Sequence, residues 1–540
     1  MSDVRARRRE VLADAGMIAA VSVLPLVLLR PLQDAPFIDD WAYAWAVEHL
    51  LRTGELRILD WSVSLDVAHV LWGALFCAPF GFSFTALRLS TWAASVLGLI
   101  GLYAMLRELS VARRDALLGV ALVGFYPVYF ILSFTFMTDV PFVAVMIWCF
   151  TALARSVTRE SAGAFGVAVL CAGLAVAIRP IGVFLSGVLL LAAWRPGTSW
   201  GPRLGRLAAA LSPIVLMGLL ALVRPGLTAY RADLTWIQGS WSWRVATPMP
   251  EPSWLPMLLA RSLTIVIGTV GIALAPLALG GLVRDNARRA WPVALPIAAA
   301  LSAGLVLSPE LRSPLDPEFI WSVRELGATE ALVPPMMTPA QPLGWALGLA
   351  ITAAVLLALA WVPLVHRRPA REARGLVWGA AVYFVLTTVL WLFYDRYLLP
   401  LVVIVCALRL GIVGILRPRL AVVGVGLFAA ISGIGTWDHL QYSRALWDAV
   451  AWTRAAGIEA RDLDGGYIVN GWLQYAHPEH AVRAANGDVA VPGVNGVGTT
   501  RYRITREVPR AARTLHTVSY ARILAASGSL HVVDQAPDAR

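Results

Sequence analysis

The residues of this chain whose types could do chemistry are carboxylates and arginines at the ends of long apolar runs. Asp39 and Asp40 follow the first run, Asp139 lies between two runs joined by almost no loop, and Asp395-Arg396 precedes another run. An Asp at the centre of a membrane helix costs about 2.5–3.5 kcal/mol, and less near the interface. Acids at such positions indicate either helix caps or a site built at a membrane surface.

Each acid also has a plain structural interpretation. Asp39 and Asp40 could begin a solvated loop or cap a helix, and Asp139, which precedes Val140-Pro141, could cap the helix that follows. A carboxylate held beside a substrate hydroxyl would instead act as a general base. The sequence leaves both interpretations open for every acid taken alone.

Three arginines, Arg88, Arg179 and Arg396, are predicted on the same side of the membrane as these acids. They are exceptions to the positive-inside rule, which the arginine clusters in six other loops follow. The guanidinium fork matches phosphate oxygens, although a long arginine also snorkels to the interface. His69 lies on the short apolar segment 66–80, and a lone histidine is more often structural than a ligand.

The composition indicates an integral membrane protein. Of the 540 residues, 58% are hydrophobic and 15% are charged, whereas soluble domains carry about 25% charged residues. The net charge of +11 comes from arginine without any lysine, and the scatter of the arginines between apolar runs argues against a nucleic-acid-binding protein. The four cysteines lie in apolar segments without CxxC spacing, so neither a disulfide framework nor a zinc site is predicted.

A membrane crossing needs about 20 apolar residues. The orientation of the loops predicts a multi-pass protein of the cell membrane with a cytoplasmic N-terminus and an outer C-terminus. Two long outer loops are expected near 224–254 and 309–342, the first with Trp236, Trp241, Trp243 and Trp254, and the segment 66–80 is expected at the interface. About thirteen runs qualify as crossings: 12–32, 84–106, 115–133, 140–156, 162–178, 180–194, 207–223, 255–280, 291–308, 343–364, 375–393, 398–415 and 420–436.

A change of composition after residue 436 predicts a second domain. Continuous apolar runs stop, and the stretches Arg501–Val508, Leu515–Ile523 and Leu530–Asp534 alternate as strands do. The chain is therefore divided into a transmembrane domain, 1–436, and a small extracytoplasmic α/β domain, 437–540.

At this point the sequence resembles a family, the GT-C glycosyltransferases, in the branch of protein O-mannosyltransferases and lipid A aminoarabinose transferases. The resemblance covers roughly residues 10–436. It departs where the family often has Pro-Pro-Leu, because this chain reads Val67-Ala68-His69-Val70-Leu71 there. The residues that carry it are Asp39-Asp40-Trp41-Ala42-Tyr43 with Thr53-Gly54-Glu55, Phe80-Gly81-Phe82-Ser83-Phe84 with Leu87-Arg88-Leu89-Ser90, Asp139, and Asp395-Arg396-Tyr397-Leu398-Leu399-Pro400.

The resemblance implies an all-α polytopic membrane enzyme that transfers a hexosyl or pentosyl group from a polyprenyl-phosphate donor, with inversion. The acceptor is a hydroxyl of a cell-envelope glycan, lipid or protein at the outer face. No cofactor is certain; a divalent metal is an option whose ligands are unknown. The implied catalytic acids are Asp39, as general base, with Asp40 and Asp139; the implied phosphate ligands are Arg88, Arg179 and Arg396; the implied pocket residues are Tyr43, His69, Tyr394 and Tyr397.

Two other classes of protein stay open, a secondary transporter and a non-catalytic membrane assembly subunit. Transporters keep their acids and arginines near mid-membrane and are often built of repeated halves, and no matching halves are visible in this sequence. Acids clustered at one cavity would favour the transferase, and acids strung through a channel would favour transport.

Overall fold

The structure is a computed structural model. The outer-loop residues Trp236, Trp241, Trp243 and Trp254, and the predicted pocket residue Tyr394, lie outside the residues that it describes. The described residues are 2–62, 65–194, 199–231, 263, 266–282, 284–307, 341–361, 369–388, 395–492, 494, 500–523 and 526–535.

Helices dominate the described chain up to residue 455, because apolar runs without water to bind the backbone must satisfy it internally. In chain order they are α1 (Ser2–Leu29), α2 (Asp40–Thr53), α3 (Val67–Cys77), α4 (Phe84–Glu108), α5 (Arg113–Gly124), α6 (Pro127–Leu132), α7 (Asp139–Thr158), α8 (Ala162–Ile178), α9 (Phe184–Ala193), α10 (Trp200–Leu227), α11 (Ala275–Gly280), α12 (Arg284–Leu307), α13 (Gln341–Trp361), α14 (Arg374–Thr388), α15 (Leu399–Val413) and α16 (Pro418–Ala455).

The described helices confirm a mostly helical, multi-pass membrane protein. By length and composition, six of them could cross a membrane, and these correspond to α1, α4, α7, α10, α15 and α16. The count of about thirteen crossings stays a prediction. The segment 66–80 forms α3, whose 11 residues are too few for a crossing.

The predicted crossing at 115–133 is divided into two helices. α5 ends at Gly124, Tyr126 is extended, and α6 begins at Pro127. Proline lacks an amide hydrogen and disfavours helical backbone at the preceding residue, which explains the break. After α6 the chain turns, and α7 begins at Asp139.

Beyond α16 the chain forms short strands and a one-turn helix, α17 (Tyr467–Asn470). One sheet of four strands has the order β3-β6-β8-β7, with β3 parallel to β6 and the other pairs antiparallel. Residue 436 lies inside α16, which continues unbroken to Ala455, and the sheet packs on the end of this helix. The strands are β1 (Ile58–Leu59), β2 (Thr228–Ala229), β3 (Leu463–Asp464), β4 (Val482–Arg483), β5 (Val489–Ala490), β6 (Tyr502–Thr505), β7 (Arg513–Tyr520) and β8 (Gly528–Asp534).

α4 and α7 pack with their backbones close together. A Cβ added at Gly98 would lie 2.9 Å from the Cβ of Ala144, which is closer than van der Waals contact allows. Glycine at this position therefore permits the approach. The packing matters for the site because α7 carries Asp139 at its first residue.

The end of α16 supports the loop that leads from α1 to α2, residues 30–39. Trp447 donates from Nε1 to the carbonyl of Pro36 at 3.0 Å, and Arg444 donates to the carbonyl of Arg30 at 2.8 Å. After α16 the chain returns to α2, where the ring of Trp41 fills the space beside Gly471. The C-terminal region thus braces the loop that carries the first acidic pair.

Candidate active site

Asp40 opens α2 and uses both carboxylate oxygens to bind the backbone. Its Oδ1 accepts hydrogen bonds from the amides of Phe37 at 2.9 Å and Ile38 at 3.3 Å. Its Oδ2 accepts from the amide of Phe136 at 3.3 Å, in the turn before α7. Burial raises the pKa of this carboxyl, while the charge of Arg88 and the backbone donors oppose the rise. Asp40 therefore ties two loops together.

Arg88 in α4 holds the loop of residues 30–39 from a second side. Its guanidinium donates to the carbonyls of Pro31, Gln33 and Ala35, and its Cζ lies 5.4 Å from the centroid of the Phe37 ring. The side chain is buried, where unpaired loop carbonyls would be costly. These contacts support the loop, and the phosphate-binding role that the resemblance implied for Arg88 stays a prediction.

Asp39 is the N-cap residue of α2, but its carboxylate does not cap the helix. Its Oδ2 lies 3.5 Å from Nη2 of Arg396. Its Oδ1 is buried and has no hydrogen-bond partner among the described residues. Asp39 therefore differs from its neighbour Asp40 in its contacts: one of its oxygens faces a cation, and neither accepts a hydrogen bond from the described backbone.

A second ion pair joins Asp139, at the start of α7, to Arg179, just after α8. Nη1 of Arg179 donates to Oδ1 of Asp139, and Oδ2 is buried without a hydrogen-bond partner in the described part of the chain. The carboxylate is 1% exposed and the arginine side chain 18%. A paired cation offsets part of the cost of burying a carboxylate this deeply.

The two ion pairs meet at the ring of Tyr397. The guanidinium carbon of Arg179 lies 5.0 Å from the ring centroid, and that of Arg396 lies 5.7 Å from it. The hydroxyl of Tyr383, in α14, donates to the carbonyl of Tyr397 and so anchors this turn. The structure therefore brings together four predicted site residues from distant parts of the chain: Asp39, Asp139, Arg179 and Arg396.

Tyr43 lies one turn after Asp39 on α2 and faces the same cluster. Burial raises the pKa of its phenol well above the usual value, and the carboxylates of Asp66 and Asp39 raise it further. The phenol therefore stays protonated and can donate a hydrogen bond. Its ring meets the imidazole of His69 edge-on, with centroids 5.7 Å apart.

Asp66 is a buried carboxylate that the sequence analysis missed. It precedes α3, is 1% exposed, and accepts a hydrogen bond from the hydroxyl of Ser62. After burial itself, it is the largest influence on the pKa of Tyr43. The signal was present in the sequence, because Asp66 heads an apolar segment just as Asp39 and Asp139 border theirs.

His69 is a neutral imidazole held by the turn that Asp40 also binds. Its Nε2 lies 3.2 Å from the carbonyl of Phe136, and its ring stacks on the Phe136 ring at 4.1 Å between centroids. Since a carbonyl only accepts, Nε2 carries the proton, and Nδ1 is a lone pair without a partner among the described residues. Burial lowers the pKa of His69 to about 4, so it offers no positive charge to a phosphate near neutral pH.

The described residues contain no group of three or more His, Cys, Asp or Glu side chains arranged to hold a metal ion. The described candidate site instead contains two carboxylate–guanidinium pairs, a protonated phenol and a neutral imidazole. Such a set can accept a proton from a hydroxyl and bind an anion.

Part of this site lies in a segment of the chain that matches a known family. Residues 69–225 match the model of a family described as dolichyl-phosphate-mannose-protein mannosyltransferase. The match includes His69, Arg88, Asp139 and Arg179, while Asp39 lies outside it. Over these residues the match agrees with the predicted resemblance to protein O-mannosyltransferases. No curated protein matches the chain in sequence.

Several solved structures are similar at low identity. The Pmt1-Pmt2 protein O-mannosyltransferase of S. cerevisiae, bound to its sugar donor, is 15% identical with a TM-score of 0.32; the match covers 43% of this chain and only 36% of that chain. ArnT from Cupriavidus metallidurans, bound to undecaprenyl phosphate, is 14% identical with a TM-score of 0.40, over 97% of this chain and 98% of that chain. AglB from Archaeoglobus fulgidus, an oligosaccharyltransferase in complex with an inhibitory peptide and a dolichol-phosphate, is 13% identical with a TM-score of 0.41, over 83% and 58%.

Proposed function

We propose that this protein is a glycosyltransferase of the cell membrane. It transfers a sugar from a polyprenyl-phosphate donor to an acceptor hydroxyl at the outer face, with inversion at the anomeric carbon, and Asp39 is the general base. The acceptor class is a glycan, lipid or protein of the cell envelope. Nucleotide sugars stay in the cytoplasm, so a transferase working at the outer face needs a donor that the membrane itself carries.

The observation that carries the proposal is the contrast between the oxygens of two neighbouring carboxylates. Both oxygens of Asp40 accept backbone hydrogen bonds. Asp39 instead keeps a buried oxygen without a partner among the described residues, and its other oxygen faces Arg396. A buried polar atom left without a partner in a native fold calls for a functional explanation, and a base awaiting a hydroxyl supplies one.

The reaction follows from the charges around Asp39. Its carboxylate takes the proton of the acceptor hydroxyl while that oxygen forms a bond to the anomeric carbon. The bond between the anomeric carbon and the phosphate oxygen breaks on the opposite side, which inverts the configuration. The electron pair leaves with the polyprenyl phosphate. General base catalysis of this type contributes about 10²–10⁴-fold to the rate.

Arg179 and Arg396 are the candidates for stabilising the charge that develops on the leaving phosphate. Guanidinium groups bind phosphate oxygens in pairs of parallel hydrogen bonds and act strongly where water is excluded. Arg396 is 6% exposed and Arg179 18%, so both lie in such surroundings. In this proposal the phenol of Tyr43, which burial keeps protonated, donates a further hydrogen bond to the donor.

The test is transfer of a radiolabelled sugar from polyprenyl-phosphate donors by the purified protein in native membrane extract. Wild type is compared with Asp39→Asn and, as the matched neighbour, Asp40→Asn. Transfer by wild type that Asp39→Asn abolishes while it remains folded supports the proposal. A parallel reaction with a chelator, then with added divalent cations, reports whether a metal is required.

Failure has two distinct forms. If folded wild type transfers no label from any donor, the transferase proposal is wrong, and uptake of substrate into vesicles becomes the next measurement because it tests the transporter. If transfer occurs and Asp39→Asn retains it, the enzyme stands but its base lies elsewhere, with Asp139 next to be substituted.

A further inference from the structure

The ring of Tyr397 lies beside the arginines of both ion pairs. Its ring centroid is 5.0 Å from the guanidinium carbon of Arg179 and 5.7 Å from that of Arg396. Arg396 is the neighbouring residue in sequence, but Arg179 comes from the end of α8, more than two hundred residues earlier. The contact with Arg179 therefore joins two distant segments of the chain.

Two guanidinium groups this close to one ring would repel each other if nothing compensated them. Each has its own carboxylate, since Asp139 pairs with Arg179 and Asp39 with Arg396. The ring adds a second attraction, because the electron-rich face of an aromatic ring attracts cations, more strongly where water is excluded. The cluster of four charged groups is thus nearly neutral and is held around one aromatic side chain.

We propose that Tyr397 is a positioning residue that sets the spacing of Arg179 and Arg396, so that both bind one phosphate group of the donor. The inference rests on the proposed function and goes beyond it, because it gives Tyr397 a role through the arginines in place of a contact with the sugar. An incoming phosphate competes for each guanidinium with its carboxylate. The ring does not compete with the phosphate. A cation–π contact uses the flat face of the guanidinium, and the N–H groups in its plane can still donate to an anion.

The backbone contacts of Tyr397 suit a positioning role. Its carbonyl accepts a hydrogen bond from the hydroxyl of Tyr383, which holds the turn before α15 against α14. Pro400 lies in the first turn of α15, where its ring pre-forms the helix start. Tyr397 therefore belongs to an anchored turn, and Arg179 contacts its ring from the end of α8.

The experiment measures binding of undecaprenyl phosphate without a sugar to the full-length protein in detergent. Tyr397→Leu removes the aromatic face and is expected to weaken binding roughly tenfold or more, the scale of a desolvated cation–π contact. Tyr397→Phe keeps the face and should retain most of the affinity. Tyr129→Leu is the control, since it removes a tyrosine that lies outside the cluster and whose hydroxyl donates to the carbonyl of Ser95.

A double substitution shows whether the ring acts through the arginine. In the Arg179→Gln background, Tyr397→Leu should weaken binding much less than it does in wild type, because the spacing of two arginines that the ring sets no longer exists. Equal effects in both backgrounds would overturn the inference, and so would Tyr397→Leu binding the lipid as wild type does. A wild-type protein that does not bind the lipid would instead contradict the proposed function, so the two failures are distinguishable.

If Tyr397→Leu does not fold, Tyr397→Phe and Tyr397→His keep the test decisive. Phe lacks the hydroxyl only, whereas His supplies a smaller, more polar ring with a weaker cation–π face. Binding should follow the order Tyr, Phe, His. Binding by Tyr397→His equal to that of Tyr397→Phe would show that the ring serves only as packing.

Discussion

Asp39 and Asp40 are neighbours with the same side chain, but their carboxylates make different contacts. The carboxylate of Asp40 is fully buried and is bound by three backbone amides. The carboxylate of Asp39 faces one guanidinium at 3.5 Å and keeps an oxygen without a partner among the described residues. The same contrast separates Arg88, which binds loop carbonyls, from Arg396, which pairs with a carboxylate.

The contrast teaches how one acidic pair can supply both a support for the backbone and, under the proposed function, a reactive group. Asp40, Arg88 and His69 make hydrogen bonds to backbone groups of the two loops. Asp39 instead pairs with Arg396, and Asp139 pairs with Arg179. A reactive group must keep unused hydrogen-bonding capacity, and a supporting group must have none left.

The largest effect expected from breaking this contrast is that of Asp39→Asn. Removing the base should lower the rate of sugar transfer about 10²–10⁴-fold while the melting temperature stays near that of wild type. Asp40→Asn should do the reverse, because an amide nitrogen would face backbone donors and cost about 1–3 kcal/mol of stability. Initial rates and thermal unfolding of both variants measure this. Equal loss of stability in the two variants would contradict the division of roles.

The next effect compares the arginines. Arg396→Gln should lower kcat by about 10²–10³-fold, as loss of one strong donor to a developing negative charge does elsewhere. Arg88→Gln should mainly lower stability, because it leaves the carbonyls of Gln33 and Ala35 buried without their donor. Transfer rates corrected for the folded fraction test this. An Arg88→Gln protein that is fully stable but inactive would support the predicted role of Arg88 in binding the donor phosphate.

The pH dependence of stability tests whether His69 is a buried, neutral imidazole. Burial lowers its pKa to about 4 in the folded protein, from about 6.5 when unfolded. Between these values only the unfolded chain binds the proton, so stability is full above pH 6.5 and is lost as the pH falls toward 4. The loss attributable to this residue reaches about 3 kcal/mol.

His69→Gln keeps a donor for the Phe136 carbonyl but does not titrate. Its unfolding free energy, measured in detergent from pH 7 to pH 4, should fall less steeply than that of wild type. Parallel curves for the two proteins would show that His69 is already charged or is not buried. His69→Asn, which places its amide near Nδ1, is the control for the position of the donor.

The helical, multi-pass class and the residues that meet at Tyr397 could be predicted from the sequence. Long apolar runs and acids at their borders are local signals, and so Asp39, Asp139, Arg179 and Arg396 could be found. Roles within the set could not be found this way. Whether a carboxylate binds backbone amides or faces a guanidinium depends on loops that meet only in three dimensions, as Asp40 and Phe136 do.

The same reasoning explains why Asp66 was missed and why the predicted crossing at 115–133 is two helices. Asp66 carried the same border signal as Asp39, but only its closeness to Tyr43 shows that it belongs to this cluster. The apolar run at 115–133 hid a break, because hydropathy does not distinguish a proline at the start of α6 from one tolerated within a helix. The unbroken α16 shows that a change of composition at 436 need not coincide with the end of an element.

The smallest expected effect tests whether the C-terminal region supports the Asp39 loop. Trp447 donates one hydrogen bond, to the carbonyl of Pro36, and Trp447→Phe removes it while keeping an aromatic ring. A loss of about 1 kcal/mol in unfolding free energy is expected, with a modest fall in transfer rate because the loop before Asp39 loses one of its anchors. Trp452→Phe, whose ring stacks on His516 in the sheet, is the matched control and should leave the transfer rate closer to that of wild type. If the two variants lower the rate equally, the C-terminal region affects catalysis through its overall stability, and the contact with Pro36 has no special part in holding the loop.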